Sequence, residues 1–384
     1  MQVIPFHEDP PRQGTAAVVP GPEPAPLQRP EPETLNLAVY GTGTIGAALL
    51  DLIFRQQNAL LTGHGLRLRV VAIGNSSRQV LSMDGLGSDW RQRLQECGPA
   101  GHVEGLVRFA GNFRGRNLVF VDVTASAELA GRYGELVRAG FHLVAANKQA
   151  AAGPQQELDR LQELLVEKQR HFFYETNVGA ALPVIAVLRE LHATGDRVHH
   201  IRGVFSGSLS YLFNGFCQDD TSFSALLQQA VDGHLTEPDP RDDLSGDDVA
   251  RKLLIVARET GRRPAPPKVE NLVPAELRAL STEEFFSRMK DMDEAFDRRR
   301  QDAARGDSVL RYVGTMDGSG QLEVSLQTVP KDSVPGRLRG SDAVFEITTE
   351  RYGEAPLVIQ GAGAGRGVTA AGVLGDILRI SRGF

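Results

Sequence analysis

Leu35-Asn36-Leu37-Ala38-Val39-Tyr40-Gly41-Thr42-Gly43-Thr44-Ile45-Gly46 begins as a short apolar strand, enters a glycine-spaced turn and leads into a helical pattern over residues 47–56. Gly-x-Gly-x-x-Gly alone is a weak signal. Between a strand and a helix it gains a physical meaning: the glycines permit a tight turn and let backbone N–H groups approach a pyrophosphate at the helix N-terminus. The stretch therefore predicts a dinucleotide-binding turn at Gly41, Gly43, Thr44, Ile45 and Gly46.

Outward from that turn, apolar runs at 66–73, 118–124 and 142–145 alternate with helical segments at 127–139 and 155–169. Strands alternating with helices predict an α/β fold, a Rossmann-type doubly wound parallel sheet. After Glu175 the alternation stops. A long helix over 247–259 and strands over 309–316, 322–329, 343–349 and 357–360 predict a second, α+β domain with an antiparallel sheet suited to an interface. The expected organisation is a proline-rich tail (1–34), a dinucleotide-binding domain (35–178), a second domain (179–360) and a C-terminal segment (361–384) returning to the first domain.

The 384 residues suit two or three domains, and 41% hydrophobic with 23% charged residues is ordinary globular composition. A balance of 42 Lys+Arg against 48 Asp+Glu leaves no basic excess for a nucleic-acid backbone or an anionic membrane surface. Cys97 and Cys217 are too few and too separated for a disulfide scaffold, and the scattered histidines have no metal-ligand spacing. No apolar run is long enough to span a bilayer and no secretion signal is visible, so a cytoplasmic location is expected. Nine of the 21 prolines fall within the first 32 residues, a density that predicts a solvated extension.

Four further features bear on chemistry. The carboxylate that usually grips a ribose 2′-hydroxyl is missing after the second strand, where Asn75-Ser76-Ser77-Arg78 stands instead; Arg78 suits a 2′-phosphate. The carboxylate-rich run from Glu237 through Asp243 to Asp247 and Asp248 opens a helix, with Ser245 and Asp248 spaced as a capping pair. In that helix Lys252 lies about 40° from Val256 on the helical wheel, at the edge of the apolar face, with Asp248 one turn earlier. A lysine aimed into a desolvated cleft there would serve proton transfer, whereas a surface ion pair is the plain alternative. Lys148, in Ala146-Asn147-Lys148, follows a strand at the sheet's carboxyl end. Glu175 to Pro183 is an irregular loop whose one carboxylate and turning carbonyls suit either a hard cation or a simple domain link.

Taken together, these motifs resemble homoserine dehydrogenase from Leu35 to the C-terminus, adding Phe205 to Tyr211, Thr236 to Lys252, Gly361-Ala362-Gly363-Ala364-Gly365 and Val368 to Gly372. Several stretches are particularly similar to the dehydrogenase half of bifunctional aspartokinase/homoserine dehydrogenase. The resemblance implies NAD(P)-dependent interconversion of L-aspartate 4-semialdehyde and L-homoserine, with NADP(H) and also NAD(H) as cofactor. It implies Lys252 and Lys148 at the reacting oxygen and Asp248 orienting Lys252. Glu237 and Asp243 would bind the substrate amino group, and Gly207 and Ser208 would line the site. Val123 and Thr124 would approach the nicotinamide, and Gly363 would belong to the cofactor loop. A monovalent cation, Na+ or K+, is implied at Glu175 and the carbonyls of Val178, Ala180 and Leu182, and a homodimer through the second sheet. His234-Leu235 stand where the family often has Gly-Tyr, and Val123 replaces a commoner polar or small residue. Little threonine inhibition is expected, because no C-terminal regulatory domain follows Phe384. Two rival readings are a non-catalytic nucleotide sensor and an aspartate-semialdehyde dehydrogenase-like enzyme, the latter needing an activated cysteine such as Cys217.

Overall fold

The computed structural model describes residues 31–98, 102–113, 117–218 and 220–381. Residues 1–30 of the proline-rich tail lie outside them, while Glu33 and Thr34 already belong to the first strand.

The first sheet contains β1 (Glu33–Tyr40), β2 (Leu66–Gly74), β3 (Gln79–Leu81), β4 (Leu118–Asp122), β5 (Phe141–Ala145) and β6 (Phe172–Phe173), ordered β3-β2-β1-β4-β5-β6. All are parallel except the short edge strand β3, which folds back antiparallel on β2. Helices cover both faces, so β4 is buried along its whole length and reads as an unbroken apolar run until its terminal Asp122. The chain order reverses beside β1, and the crevice beyond the ends of β1 and β4 is where such sheets take ligands.

The helix after β1 spans Thr44–His64, longer than the sequence pattern suggests, and stops at Gly65 in the left-handed conformation. The expected 127–139 helix is divided at Arg132 into Ala127–Gly131 and Tyr133–Arg138.

The second sheet is ordered β12-β11-β7-β9-β10-β8 and is built from β7 (Val198–Val204), β8 (Lys268–Val269), β9 (Ser308–Met316), β10 (Leu322–Pro330), β11 (Asp342–Thr349) and β12 (Leu357–Ala362). Every pairing is antiparallel except β8 on β10. Helices Gly207–Gln218, Phe223–Asp232 and Asp293–Arg305 pack beside it around Phe213, Phe216, Phe223 and Phe296, the last two stacked with ring centroids 3.8 Å apart. The Asp247–Glu259 helix buries Val249, Leu253 and Val256. Finally, the Arg366–Ser381 helix returns to the first sheet, where Val373 and Ile377 share a core with Leu49, Leu50 and Ile53. Among the described residues no helix is long and apolar enough to cross a membrane.

Candidate active site

The glycine turn is built for close approach. Gly41 has φ +102°, and a Cβ there would lie 2.7 Å from the Val123 carbonyl oxygen; at Gly46 it would lie 1.7 Å from the Gly41 carbonyl oxygen. Neither position accepts a side chain. Gly43 by contrast faces open space, and as the residue before the Thr44–His64 helix it offers no side-chain cap. The first N–H groups of the helix, Thr44 and Ile45 among them, therefore remain available to an anion.

A cavity of about 560 Å³ adjoins this turn, lined by Tyr40, Gly41, Gly43, Asn75, Val123 and Thr124 among others. These features fit a dinucleotide. Asn75 braces its rim, donating to Thr42 Oγ1 at 3.1 Å and accepting from the Ser77 and Arg78 N–H groups at 2.9 and 2.8 Å. The exposed Arg78 guanidinium donates to the Gln95 carbonyl and lines a neighbouring recess with Thr42, Ser77 and Arg91. Gly363 has a packing reason to be glycine: a Cβ would lie 2.4 Å from that of Ala343.

The carboxylate run folds into a short helix, Arg241–Leu244, a left-handed Gly246 and the Asp247–Glu259 helix. The expected Ser245–Asp248 capping pair does not form. Gly246 occupies the cap position, and Ser245 instead donates to the Asp242 carbonyl and accepts from the Asp247 N–H. Asp248 is thereby free to face the lysines. Its Oδ2 lies 2.7 Å from Lys252 Nζ and its Oδ1 lies 3.4 Å from Lys148 Nζ, the latter lysine arriving from the turn after β5.

Lys252 also donates to the Phe205 carbonyl at the end of β7, at 2.9 Å. Burial would raise the Asp248 carboxyl, but the two ammoniums overcome it and hold the group well below the usual carboxylate range. Burial, reinforced by the Lys252 charge, lowers the Lys148 ammonium against the opposing pull of Asp248. Asp243 Oδ2 accepts the Glu237 N–H at 2.8 Å, which ties the exposed Glu237 to the cluster. Burial pushes the Asp243 carboxyl up, against the hydrogen bonds from Glu237 and Ser208. Gly207 and Ser208 open the helix that follows β7.

In the Glu175–Pro183 loop the Glu175 carboxylate is held by protein donors: Oε1 accepts the Ile185 N–H at 2.7 Å, and Oε2 accepts from the Ala186 N–H at 3.0 Å and from Arg379 at 2.9 Å. It anchors the start of the Val184–Ala193 helix and clamps the C-terminal helix. Arg379 also bonds Asp376, whose carboxyl burial pushes up to about 7 although the Glu175 N–H and Arg379 oppose it. The same loop also presents backbone oxygen. Ala180 turns at φ +54°, its carbonyl oxygen faces Gly372, and the buried Thr176 hydroxyl in the same loop has no partner.

Sequence reasoning missed the buried network beside the turn that carries Lys148. Asp122, ending β4, accepts from Tyr133, Asn147 and Thr124 at 2.7, 2.9 and 2.8 Å. A carboxylate closing an otherwise apolar strand was the signal that could have found it.

The cavity beside the glycine turn lies on one sheet, and the lysine–carboxylate cluster joins that sheet's domain to the second, the layout of a dinucleotide-binding domain coupled to a second domain. The family profile described as Homoserine dehydrogenase matches residues 183–378, and that described as Homoserine dehydrogenase, NAD binding domain, matches residues 41–175. The chain is 37% identical over 373 residues to the homoserine dehydrogenase of Paracoccidioides brasiliensis, covering 91% of this chain and 98% of that one. The chain belongs to the homoserine dehydrogenase family.

It is also 42% identical over 355 residues to bifunctional aspartokinase/homoserine dehydrogenase 1, chloroplastic, of Arabidopsis thaliana, covering 91% of this chain and 39% of the relative. The chain thus spans about two-fifths of the length of such bifunctional relatives. A Candida auris protein of unknown function superposes with a TM-score of 0.84 at 33% identity, over 91% of this chain and 99% of that one. A hyperthermophilic archaeal homoserine dehydrogenase in complex with NADPH shares the fold, with a TM-score of 0.69 at 21% identity over 91% and 98% of the two chains. These matches fit neither the nucleotide-sensor reading nor the thioester-forming one. The latter's cysteine, Cys217, accepts the Leu310 N–H at 3.3 Å beside the buried Arg311.

Proposed function

We propose that the chain catalyses the reversible NAD(P)H-dependent reduction of L-aspartate 4-semialdehyde to L-homoserine, a reaction of threonine and methionine biosynthesis. The observation that carries this reading is the single Asp248 carboxylate in contact with both Lys252 and Lys148, lysines belonging to different domains. When bound, the cofactor supplies the hydride.

The protein's own tasks are to hold the aldehyde, stabilise charge on its oxygen and deliver a proton. Lys252, braced by Asp248 and the Phe205 carbonyl, is the proton donor to the forming hydroxyl, and in reverse the neutral amine accepts it. Lys148 is the second contact to that oxygen, where a positive charge gains more as negative charge develops than in the ground state. Glu237 and Asp243 receive the substrate ammonium, and Gly207 and Ser208 line its pocket.

Val123 and Thr124 lie against the nicotinamide in this reading. NADP(H) is favoured because no carboxylate after β2 repels a 2′-phosphate and Arg78 stands ready to bind one. Residues Val178, Ala180 and Leu182 offer carbonyls for a monovalent cation. Two copies pair through the second sheet in the cytoplasm.

The test is absorbance of the reduced nicotinamide, followed with homoserine and each oxidised cofactor in turn. Homoserine-dependent reduction supports the proposal. Cofactor binding without turnover of homoserine overturns it.

A further inference from the structure

Lysine side chains have long flexible stems, so a lysine that must meet one substrate oxygen needs its backbone held. The turn bearing Lys148 is held by a network that none of the roles above uses. Asn147, 2% exposed, donates from Nδ2 to Asp122 Oδ2 at 2.9 Å and to the Ser126 carbonyl at 2.9 Å. Its Oδ1 accepts the Gln149 N–H at 3.0 Å. Both donors and the acceptor of the amide are therefore committed, and they bracket Lys148 on either side. Lys148 is the residue before the Gln149–Ala152 turn and makes no side-chain cap bond there; the Asn147 amide oxygen takes the Gln149 N–H, and the Lys148 side chain reaches Asp248.

The other end of the network is Asp122, fully buried at the end of β4. Its Oδ1 accepts the Thr124 N–H at 2.8 Å, while Oδ2 accepts Asn147 and the Tyr133 hydroxyl, the latter at 2.7 Å. One carboxylate thus fixes the Val123-Thr124 turn with one oxygen and the lysine turn with the other. Burying a carboxylate costs several kcal/mol unless it is well satisfied, so this group is held by donors that cannot easily be exchanged. Tyr133 supplies a permanent donor: burial and the neighbouring Asp122 charge raise its hydroxyl well above the usual tyrosine range.

We propose that Asp122 and Asn147 are positioning residues that set Lys148 in register with the turn lying against the nicotinamide, so that the hydride path and the charge-stabilising ammonium are aligned by one buried link. The inference rests on the role of Lys148 given above. A merely structural network would alter stability and leave the chemistry of the folded enzyme intact; a positioning Asn147, which holds the lysine turn, acts on the chemistry through Lys148.

A double-mutant cycle separates these cases. Turnover number, thermal midpoint and NADPH affinity by fluorescence titration are measured for the wild type, Asn147→Ala, Lys148→Ala and the double variant. Asn147→Ala is expected to lower kcat about tenfold or more with NADPH affinity within about twofold of wild type. In the Lys148→Ala background the same substitution should cost less than about twofold, because the group it positions is gone. Multiplicative losses in the double variant, or a wild-type kcat in Asn147→Ala beside an impaired Lys148→Ala, overturn the proposal. A wild-type kcat in Lys148→Ala is a different result: it removes the underlying role of the lysine, and the positioning claim falls with it. Should Asn147→Ala fail to fold, Asn147→Ser, whose shorter side chain cannot join Asp122, the Ser126 carbonyl and the Gln149 N–H at once, takes its place in the cycle; a loss of kcat that vanishes in the Lys148→Ala background supports the proposal and multiplicative losses overturn it.

Discussion

Asp248 Oδ2 stands 2.7 Å from Lys252 Nζ, one helical turn apart on a single helix, while the same carboxylate reaches Lys148 with its other oxygen. The pair is half-buried, and removing the carboxylate leaves two ammoniums repelling one another. Asp248→Asn is expected to lower kcat more than it raises KM, because the lysines then lose their common brace. The measurement is steady-state kinetics with aspartate 4-semialdehyde and NADPH.

Lys252→Ala and Lys148→Ala should each depress kcat by about 100-fold or more, the scale of lost general acid–base catalysis. NADPH affinity by fluorescence titration should change little, since the Gly41–Gly46 turn is untouched. Wild-type turnover in both variants would reduce the lysines to ion pairs.

Arg78→Ala should weaken use of NADPH and spare NADH. Arg78 already donates to the Gln95 carbonyl, but a guanidinium has five N–H donors and retains others for a phosphate. A charge-assisted bond of about 1.5 kcal/mol corresponds to a loss of about tenfold in kcat/KM with NADPH. Equal effects on both cofactors would show that Arg78 does not read the 2′-phosphate.

Arg379→Met should destabilise the protein by about 3–5 kcal/mol in urea unfolding, because it leaves the buried Glu175 and Asp376 carboxylates without their shared cation. The deficit should shrink as pH falls through about 7, since the Asp376 carboxyl then takes up a proton and needs the cation less.

His142 offers a pH test away from the active site. Burial, together with the Arg170 and His171 charges, lowers its imidazole to about 4, and its Nδ1 accepts the His171 N–H at 3.1 Å. The native state thus keeps the ring neutral where the unfolded chain begins to protonate it. The stability it contributes is full above pH 6.5, its ordinary value, and is lost as pH falls toward about 4. His142→Gln, which retains an acceptor, should lose about 1–2 kcal/mol less over that interval after solvent screening. Thermal midpoints of both proteins across this range provide the check.

The parts of the fold legible in the sequence were those with a local cause. The Gly41–Gly46 turn sits between a strand and a helix, and the Asp247–Glu259 helix shows its apolar stripe within a few turns. β7 was not visible, although it is central to the second sheet, because His199, His200 and Arg202 interrupt its apolar residues. The two lysines could be named from the sequence, but their meeting at Asp248 joins residues far apart in the chain. The same is true of Arg379 and Glu175, separated by 204 positions. No local pattern records such a contact, and the clamp of Glu175 on the C-terminal helix accordingly could not be read from its loop.

The return of the Arg366–Ser381 helix to the core beneath Leu49, Leu50 and Ile53 has a consequence for how the molecule is made. The nucleotide-binding layer is closed by the last helix of the described chain, with the whole second sheet laid down in between. A ribosome therefore releases the first half of this layer well before its final packing partner exists, and apolar surface on the Thr44–His64 helix must wait for it. Contacts of such long sequence separation are slow to form. Completion of the cofactor site should be a late event, with the second sheet already laid down when the first layer is closed.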